Sequence, residues 1–441
     1  MKNILLSILA LFALSVNAQH TISGTFTPAK DYTYLIAYRL KPGTQAYTAD
    51  TAIKFGKFTL NMPENAAPGM YRLVYAVPQD EYNFDVIYNG KEDIVLDFNT
   101  DEGVKYKTSE ENSILNSYLH EINAAEKELI NFYTEQSTNQ KKFKALTKIL
   151  SDIQKTYEAK SEGLLAYHFI LGNAPYIPEN YKTVAQYVAC KKENYFKAID
   201  FKDPILQSSV FLTDKVANYV FTAVPLNLSG TEALEKEVIK NVDDVSAQIS
   251  DLGPDFRFDL YNELWNTAVA YNYNKVADYI YSSYLKNLAT ATENLEIIKT
   301  IEAHNRLRLG EIAPEITWKV EKDVKKLSEL APAKNYLLIF WSSTCGHCLN
   351  ELPALHKELR DKSDITVIAV GLEDEVENWE IESAKLPNFQ HAISLGKWDS
   401  EYSKLYDIHA TPTYYILDSE KRIIAKPEGD KAAVEFLNKI Y

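Results

Sequence analysis

Cysteine is scarce in this chain: its 441 residues hold three. So few cannot build the disulfide framework that staples small exported domains, so folding has to rest on buried apolar surface. Glycine is scarce too, at 15 against 30 tyrosines, which excludes a loop-rich chain and favours helices with amphipathic aromatic faces. Beyond the first residues, no apolar run approaches the roughly 20 residues that a membrane helix needs. Positive charge is in deficit, with 47 Lys and Arg against 61 Asp and Glu and a formal charge of −14. That balance repels nucleic acid and anionic lipid, and neither is expected as a partner.

The chain starts with Met1-Lys2-Asn3, the apolar stretch Ile4 to Leu14, and Val16-Asn17-Ala18-Gln19. A charged, then apolar, then small-residue order reads as a cleavable export signal over residues 1–18. The mature chain is expected to begin near Gln19, to reside in the periplasm or be secreted, and to insert in no membrane. No cysteine stands at the cleavage site, so no lipid anchor is expected. A prior of about 150 residues per domain predicts two or three domains.

Strand patterns run from Ile22 to Phe98. Ile22 to Phe26, Tyr34 to Tyr38, Phe55 to Leu60, Tyr71 to Val77, Phe84 to Tyr88 and Ile94 to Phe98 are separated by Pro, Gly and Asn signals. Asn89-Gly90 is a favoured hairpin turn. Short strands at this spacing predict a small antiparallel β-sandwich over residues 19–103. After the acidic capping signal Thr108-Ser109-Glu110-Glu111 the period becomes helical, with Leu115, Tyr118, Leu119, Ile122, Ala125, Leu129 and Phe132 on one face. Further amphipathic runs cover 143–171, 184–196, 205–224, 232–249, 261–285 and 295–307, with prolines at the breaks. A helical domain over 104–303 follows, with no visible catalytic residue. Cys190, His168 and Trp265 read as packing residues within it.

From about His304 strands and helices alternate, which predicts an α/β layered domain over 304–441. Within it the apolar run Leu337-Leu338-Ile339-Phe340 leads to Trp341-Ser342-Ser343-Thr344-Cys345-Gly346-His347-Cys348 and then a helical pattern. A strand that delivers a Cys-x-x-Cys pair to a helix start puts the first sulfur among unpaired N–H groups, where a thiolate is favoured. That is an arrangement for disulfide exchange, with Cys345 attacking and Cys348, one turn in, resolving. A structural zinc would want a second paired motif, and there is none, so neither metal nor cofactor is expected. His347 is placed to stabilise the thiolate, which stabilises the dithiol and makes the disulfide more oxidising. Glu351, three residues after Cys348, shares its helix face and is a candidate proton handler.

These residues resemble a known family. Gly310 with Ala313-Pro314, Phe340-Trp341, Cys345-Gly346-His347-Cys348, Glu351-Leu352-Pro353 and Ala410-Thr411-Pro412-Thr413 occur in the order and spacing of the thioredoxin fold, and more closely of its exported TlpA/ResA-like branch. The resemblance implies an exported thiol-disulfide oxidoreductase, acting on protein thiols and disulfides and served by a redox partner protein. It implies that Pro412 is cis, and that Trp341, Thr411 and Pro412 face the substrate. A reductase role follows from the family. Gly346-His347 is similar to the pair in protein disulfide isomerases and leans the other way. Ile339 stands where thioredoxins keep a buried Asp, and Thr344 replaces the aromatic common before their first cysteine. A peroxiredoxin-like reading fails because Leu338 is not proline. The rival expectation is an envelope binding or scaffold protein whose redox domain is accessory.

Overall fold

Period-two alternation builds the first eight strands of the computed structural model, which describes residues 20–29, 32–320 and 322–440. The expected leader lies outside them. The strands are β1 Thr21–Thr27, β2 Tyr34–Lys41, β3 Thr44–Ala52, β4 Lys57–Asn61, β5 Gly69–Val74, β6 Asn83–Tyr88, β7 Ile94–Asn99 and β8 Gly103–Tyr106. They form two four-stranded sheets, β4-β1-β7-β8 and β3-β2-β5-β6, that share one core of inward residues including Ile22, Phe26, Leu35, Leu73, Leu96 and Phe98.

Three details differ from the sequence expectation. Strands β3 and β8 were not expected: β3 carries few large apolar residues and is mostly exposed, so its pattern is faint. Asn89-Gly90 does not close a hairpin, because β6 and β7 belong to different sheets and the turn carries the chain across. The pairing is mixed rather than antiparallel throughout, since β1 runs parallel to β7.

Helices follow as α1 Glu110–Thr134, α2 Gln140–Ser161, α3 Ala166–Gly172, α4 Val184–Glu193, α5 Pro204–Gln207, α6 Phe211–Thr222, α7 Thr231–Ile249, α8 Pro254–Ala270, α9 Asn274–Ile280, α10 Lys286–Ala291 and α11 Leu295–Arg306. Ser109 caps α1 by accepting from the Asn112 N–H. The buried Asn112 side chain then exchanges two hydrogen bonds with the Ile87 backbone, at 2.8 and 2.7 Å, fixing α1 to β6. Two of the long expected helices are broken where the backbone turns left-handed, at Gly163 (φ 83°) between α2 and α3 and at Asn272 (φ 57°) between α8 and α9. Gly and Asn tolerate that conformation and end a helix without a proline. Among the described residues no helix is long and apolar enough to cross a membrane.

The chain divides into two compact units, with the second beginning at Asn294. Its elements after α11 are β9 Thr317–Val320, β10 Asp323–Lys326, β11 Asn335–Trp341, α12 Gly346–Leu359, β12 Ile365–Glu373, α13 Glu377–Ser383, β13 Gln390–Leu395, α14 Glu401–Leu405, β14 Thr413–Leu417, β15 Ile423–Ala425 and α15 Asp430–Ile440. Five strands form one sheet in the order β13-β12-β11-β14-β15. Three of them, β13, β12 and β11, run parallel, and β14 and β15 are antiparallel to their neighbours.

Strand β11 is buried along its whole length, which explains its unbroken apolar run. Leu337, Ile339 and Trp341 point into one core, with Leu352, Leu355 and Leu359 of α12. Tyr336, Leu338 and Phe340 point into the other, with Trp318, Tyr402 and Tyr406. In β12, Gly371 makes room for Trp379 of α13: a Cβ there would lie 2.4 Å from the indole. The sheet thus carries helices on both faces and presents the carboxyl ends of β11, β12 and β13 at one edge.

Candidate active site

At that edge β11 hands the chain to α12 through Ser342, Ser343 and Thr344. Cys345 is the N-cap of α12, and its Sγ accepts the Cys348 N–H at 3.3 Å. Sulfur here takes the place that a Ser or Asp oxygen fills at an ordinary helix start. Cys345 is half-buried and Cys348 fully buried, and both are free thiols. On the other side of Cys345 the Thr411–Pro412 peptide bond is cis, and the Thr411 carbonyl accepts from the Cys345 thiol at 3.3 Å. Strand β14 neighbours β11, so the pairing of these two strands is what carries residues 411 and 412 to the sulfur.

The two thiols differ in acidity. Burial pushes the Cys345 thiol up, but the hydrogen bonds from the Cys348 thiol, from the Thr411 hydroxyl and from the backbone N–H groups of Cys348 and His347 outweigh it and leave it below the ordinary thiol value. The Thr411 carbonyl can accept only from the protonated thiol, so the gain on ionisation comes from the donors. Burial, and then the hydrogen bond with Cys345, push Cys348 up to about 12. The lower thiol is the accessible one. His347 itself is exposed, and it reaches the sulfur through its backbone N–H rather than through its imidazole.

Alkylation of the reduced protein should therefore follow two steps. Cys345 reacts first, with a midpoint below that of an ordinary thiol, and Cys348 stays unlabelled until far more alkaline solution. Mass mapping of the two cysteines against pH checks this, and equal labelling at neutral pH would contradict it.

Glu351 is partly buried on α12, where its Oε2 accepts the hydroxyl of Tyr414 at 2.9 Å. Tyr414 lies on β14, two residues after Pro412, inside the same core as Cys348. Burial, then the Glu351 hydrogen bond and charge, hold its phenol far above the usual range, so it stays a donor. The carboxylate near the resolving cysteine is thus oriented by a neutral tyrosine. Ile339 lies in that core as well, at the place a buried Asp would occupy.

Trp341 requires a correction. It is 1% exposed and packs in the core with Cys348 and Leu352, so it does not face a substrate. The reason is strand alternation: as a member of β11 it follows Leu337 and Ile339 to the α12 side of the sheet.

Two residues of the site were missed in the sequence. Tyr414 passed as a strand residue, and only its hydroxyl, which needs a partner when buried, hinted otherwise. Glu373 is 3% exposed at the end of β12. Its carboxylate accepts the Ser343 N–H and, at 3.2 Å, the Ser342 hydroxyl, and so fixes the loop ahead of Cys345. The available signal was a carboxylate closing a strand that carries no other charge, Ile365 to Leu372. Cys190 is half-buried in α4, and His168 contacts Asp203 at 2.5 Å through Nδ1. Both lie in the first unit.

No protein-family model matches the chain. It is 28% identical over 116 residues to thioredoxin-like protein YneN of Bacillus subtilis, which covers 26% of this chain and 68% of that protein. It is 32% identical to the solved domain of a possible thiol-disulfide isomerase from Cytophaga hutchinsonii, over 30% of this chain and 93% of that one, with a TM-score of 0.27. The solved thioredoxin domain of a thiol-disulfide oxidoreductase from Bacteroides vulgatus is 23% identical over 30% of this chain and 98% of that one, with a TM-score of 0.27.

Proposed function

Because the chain belongs to the thioredoxin-like fold family through its second unit, we propose that it is an exported thiol-disulfide oxidoreductase that exchanges the Cys345–Cys348 pair with protein thiols and disulfides. The observation that carries this reading is the pair itself: an accessible sulfur of lowered pKa on a helix start, backed by a buried thiol one turn away. Export rests on the leader pattern of residues 1–18. In this reading residues 304–441 carry the chemistry, while the β-rich residues 19–103 and the helical residues 104–303 decide where it acts and on which proteins.

The reducing direction runs as follows. The Cys345 thiolate attacks one sulfur of a substrate disulfide, the substrate S–S bond breaks, and the departing sulfur takes a proton. A mixed disulfide now joins Cys345 to the substrate. Cys348 then loses its proton, with Glu351 oriented by Tyr414 as the nearby carboxylate to receive it. Its thiolate attacks Cys345 Sγ and releases the second substrate thiol. The substrate has gained two electrons and two protons, the pair has lost them as a disulfide, and a redox partner protein returns it to the dithiol. Oxidation of substrate thiols is the same path reversed.

Direction depends on how far the protein stabilises the reduced pair. The amides at the start of α12 stabilise the Cys345 thiolate, which favours the dithiol and raises the reduction potential. A solvent-exposed His347 cation adds to this weakly, because water and salt screen it. We therefore expect a potential above thioredoxin's value of about −270 mV, moderated by the high pKa of Cys348. Equilibration with reduced and oxidised glutathione, read by quenching and mass, measures it. A value as low as thioredoxin's would overturn the oxidising bias and leave a plain reductase.

A further inference from the structure

The chemistry at Cys345 requires a protein disulfide to lie against the sheet edge, and the structure offers that substrate a surface on the side away from Pro412. The sheet order places β14 on one side of β11 and β12 and β13 on the other. Strands are spaced about 4.8 Å apart, so the end of β13 lies roughly 10 Å from the end of β11. Segments that cross the carboxyl ends of strands in such sheets meet loops from both sides.

The loop after β13 is Gly396-Lys397-Trp398-Asp399, and it is tied to the cysteine loop directly by Lys397 and indirectly through Glu373. Gly396 N–H donates to the Glu373 carbonyl at 2.9 Å. The carboxylate of the same Glu373 accepts the Ser343 N–H, so one residue grips the turn with its main chain and the cysteine loop with its side chain. Lys397 Nζ reaches Thr344 Oγ1 at 3.5 Å, the residue directly before Cys345, and lies 3.8 Å from Asp374. The turn is also conformationally costly. Gly396 has φ 98° and Lys397 has φ 48°, a left-handed conformation that a lysine adopts at a cost of order 1 kcal/mol or more and that persists when surroundings impose it.

This costly, well-anchored turn holds a tryptophan in water. Trp398 is 47% exposed, and Leu395 at the end of β13 is 54% exposed. Single exposed apolar residues are ordinary, but this indole stands on an anchored turn whose adjacent Lys397 reaches the residue before Cys345, a place where it can meet a bound substrate. The sequence supplies a reason for it. Thr344, the residue directly before Cys345, carries no aromatic ring, so an aromatic contact for the substrate has to come from another loop.

We propose that the Gly396–Asp399 turn is a substrate shelf, on which Trp398, supported by Leu395, takes an apolar side chain flanking the substrate cysteine in an extended protein segment. Thr411 and Pro412 hold the same segment from the opposite side. Glu373 is the positioning residue that keeps shelf and sulfur in register. The preferred substrates are then disulfides in unfolded or partly folded chains, where apolar residues beside cysteine are accessible. The proposal rests on the exchange activity proposed above and refines it.

The test uses the full chain with Trp398→Ala and Trp398→Phe, and two kinds of disulfide. One is oxidised glutathione, which carries no apolar flank. The other is a pair of model peptide disulfides, identical except for Leu or Ser beside the cysteine. The wild type should turn over the Leu peptide about tenfold better by kcat/KM, the loss typical of truncating an aromatic anchor. Trp398→Ala should erase that preference through KM while its glutathione rate and its alkylation profile match wild type, and Trp398→Phe should restore most of it. A Leu preference unchanged in Trp398→Ala would overturn the shelf. A wild type inert towards glutathione as well would instead overturn the oxidoreductase reading, so the two failures are separable. Should Trp398→Ala misfold, an altered glutathione rate reveals it, and Trp398→Gln, with the Leu preference again expected to vanish, decides the question.

Discussion

Replacing Cys348 with serine should convert the protein from a turnover catalyst into a trap. Cys345 keeps the features that make it reactive: the N-cap position on α12, the donor from the residue-348 N–H at 3.3 Å, and partial exposure beside Thr411. It will attack a protein disulfide and form the mixed species. The second step has no thiol to complete it, because serine's hydroxyl is too weakly acidic to serve in exchange. Turnover falls to the uncatalysed level while adducts accumulate. Cys345→Ser loses turnover equally but forms no adduct at the pair, since Cys348 is fully buried, with a pKa pushed up to about 12. The contrast between the two variants separates attack from resolution. A Cys345→Ser protein that still formed adducts through Cys348 would reverse the assignment.

Trp341→Ala should destabilise the second unit by about 3–5 kcal/mol, the cost of truncating a large aromatic in a packed core. Trp341 is 1% exposed, and it shares that core with Leu337, Ile339, Cys348 and Leu352. Its removal opens a cavity directly beneath the resolving cysteine, so water should reach Cys348 and alkylation of that thiol should begin at lower pH. Urea unfolding followed by signals of the second unit measures the loss, and Trp341→Phe should recover roughly half of it. The opposite pattern, a loss below about 1 kcal/mol with a large rise in KM for protein substrates, would return Trp341 to the substrate face.

The two residues at the centre of the site were legible in the sequence because their relation is local. Cys345 and Cys348 sit on one turn, and the apolar run Leu337 to Phe340 announces the strand that delivers them. Thr411 and Pro412 were legible only through the family motif, since nothing in their neighbours says that β14 pairs with β11. Trp341 was assigned to the wrong side because its nearness to the pair in sequence outweighed the alternation that buries it. Glu373 and Tyr414 were invisible for a different reason. Each matters through a partner far along the chain, Ser343 for one and Glu351 for the other, and only the sheet order brings them together.

The first unit shows the same division. Its sandwich strands with large alternating residues, β1, β2, β4 to β7, stood out, whereas β3, polar and mostly exposed, did not. Asn89-Gly90 announced a turn correctly but not where the turn led, because turn chemistry is local and sheet membership is not. Helix starts with side-chain caps, such as Ser109, were read directly. Breaks made by a left-handed Gly163 or Asn272 were passed over, since one such residue inside an amphipathic run leaves the periodicity nearly intact.

The proposed exchange requires the sulfur of Cys345 to join a substrate sulfur. The most direct measurement incubates the Cys348→Ser full-length protein with a disulfide-bonded protein and reads the intact mass without reducing agent. One substrate chain should be added per protein, mapped to Cys345 and released by dithiothreitol. A preparation that adds no mass, or one in which the adduct maps to Cys190, would contradict it.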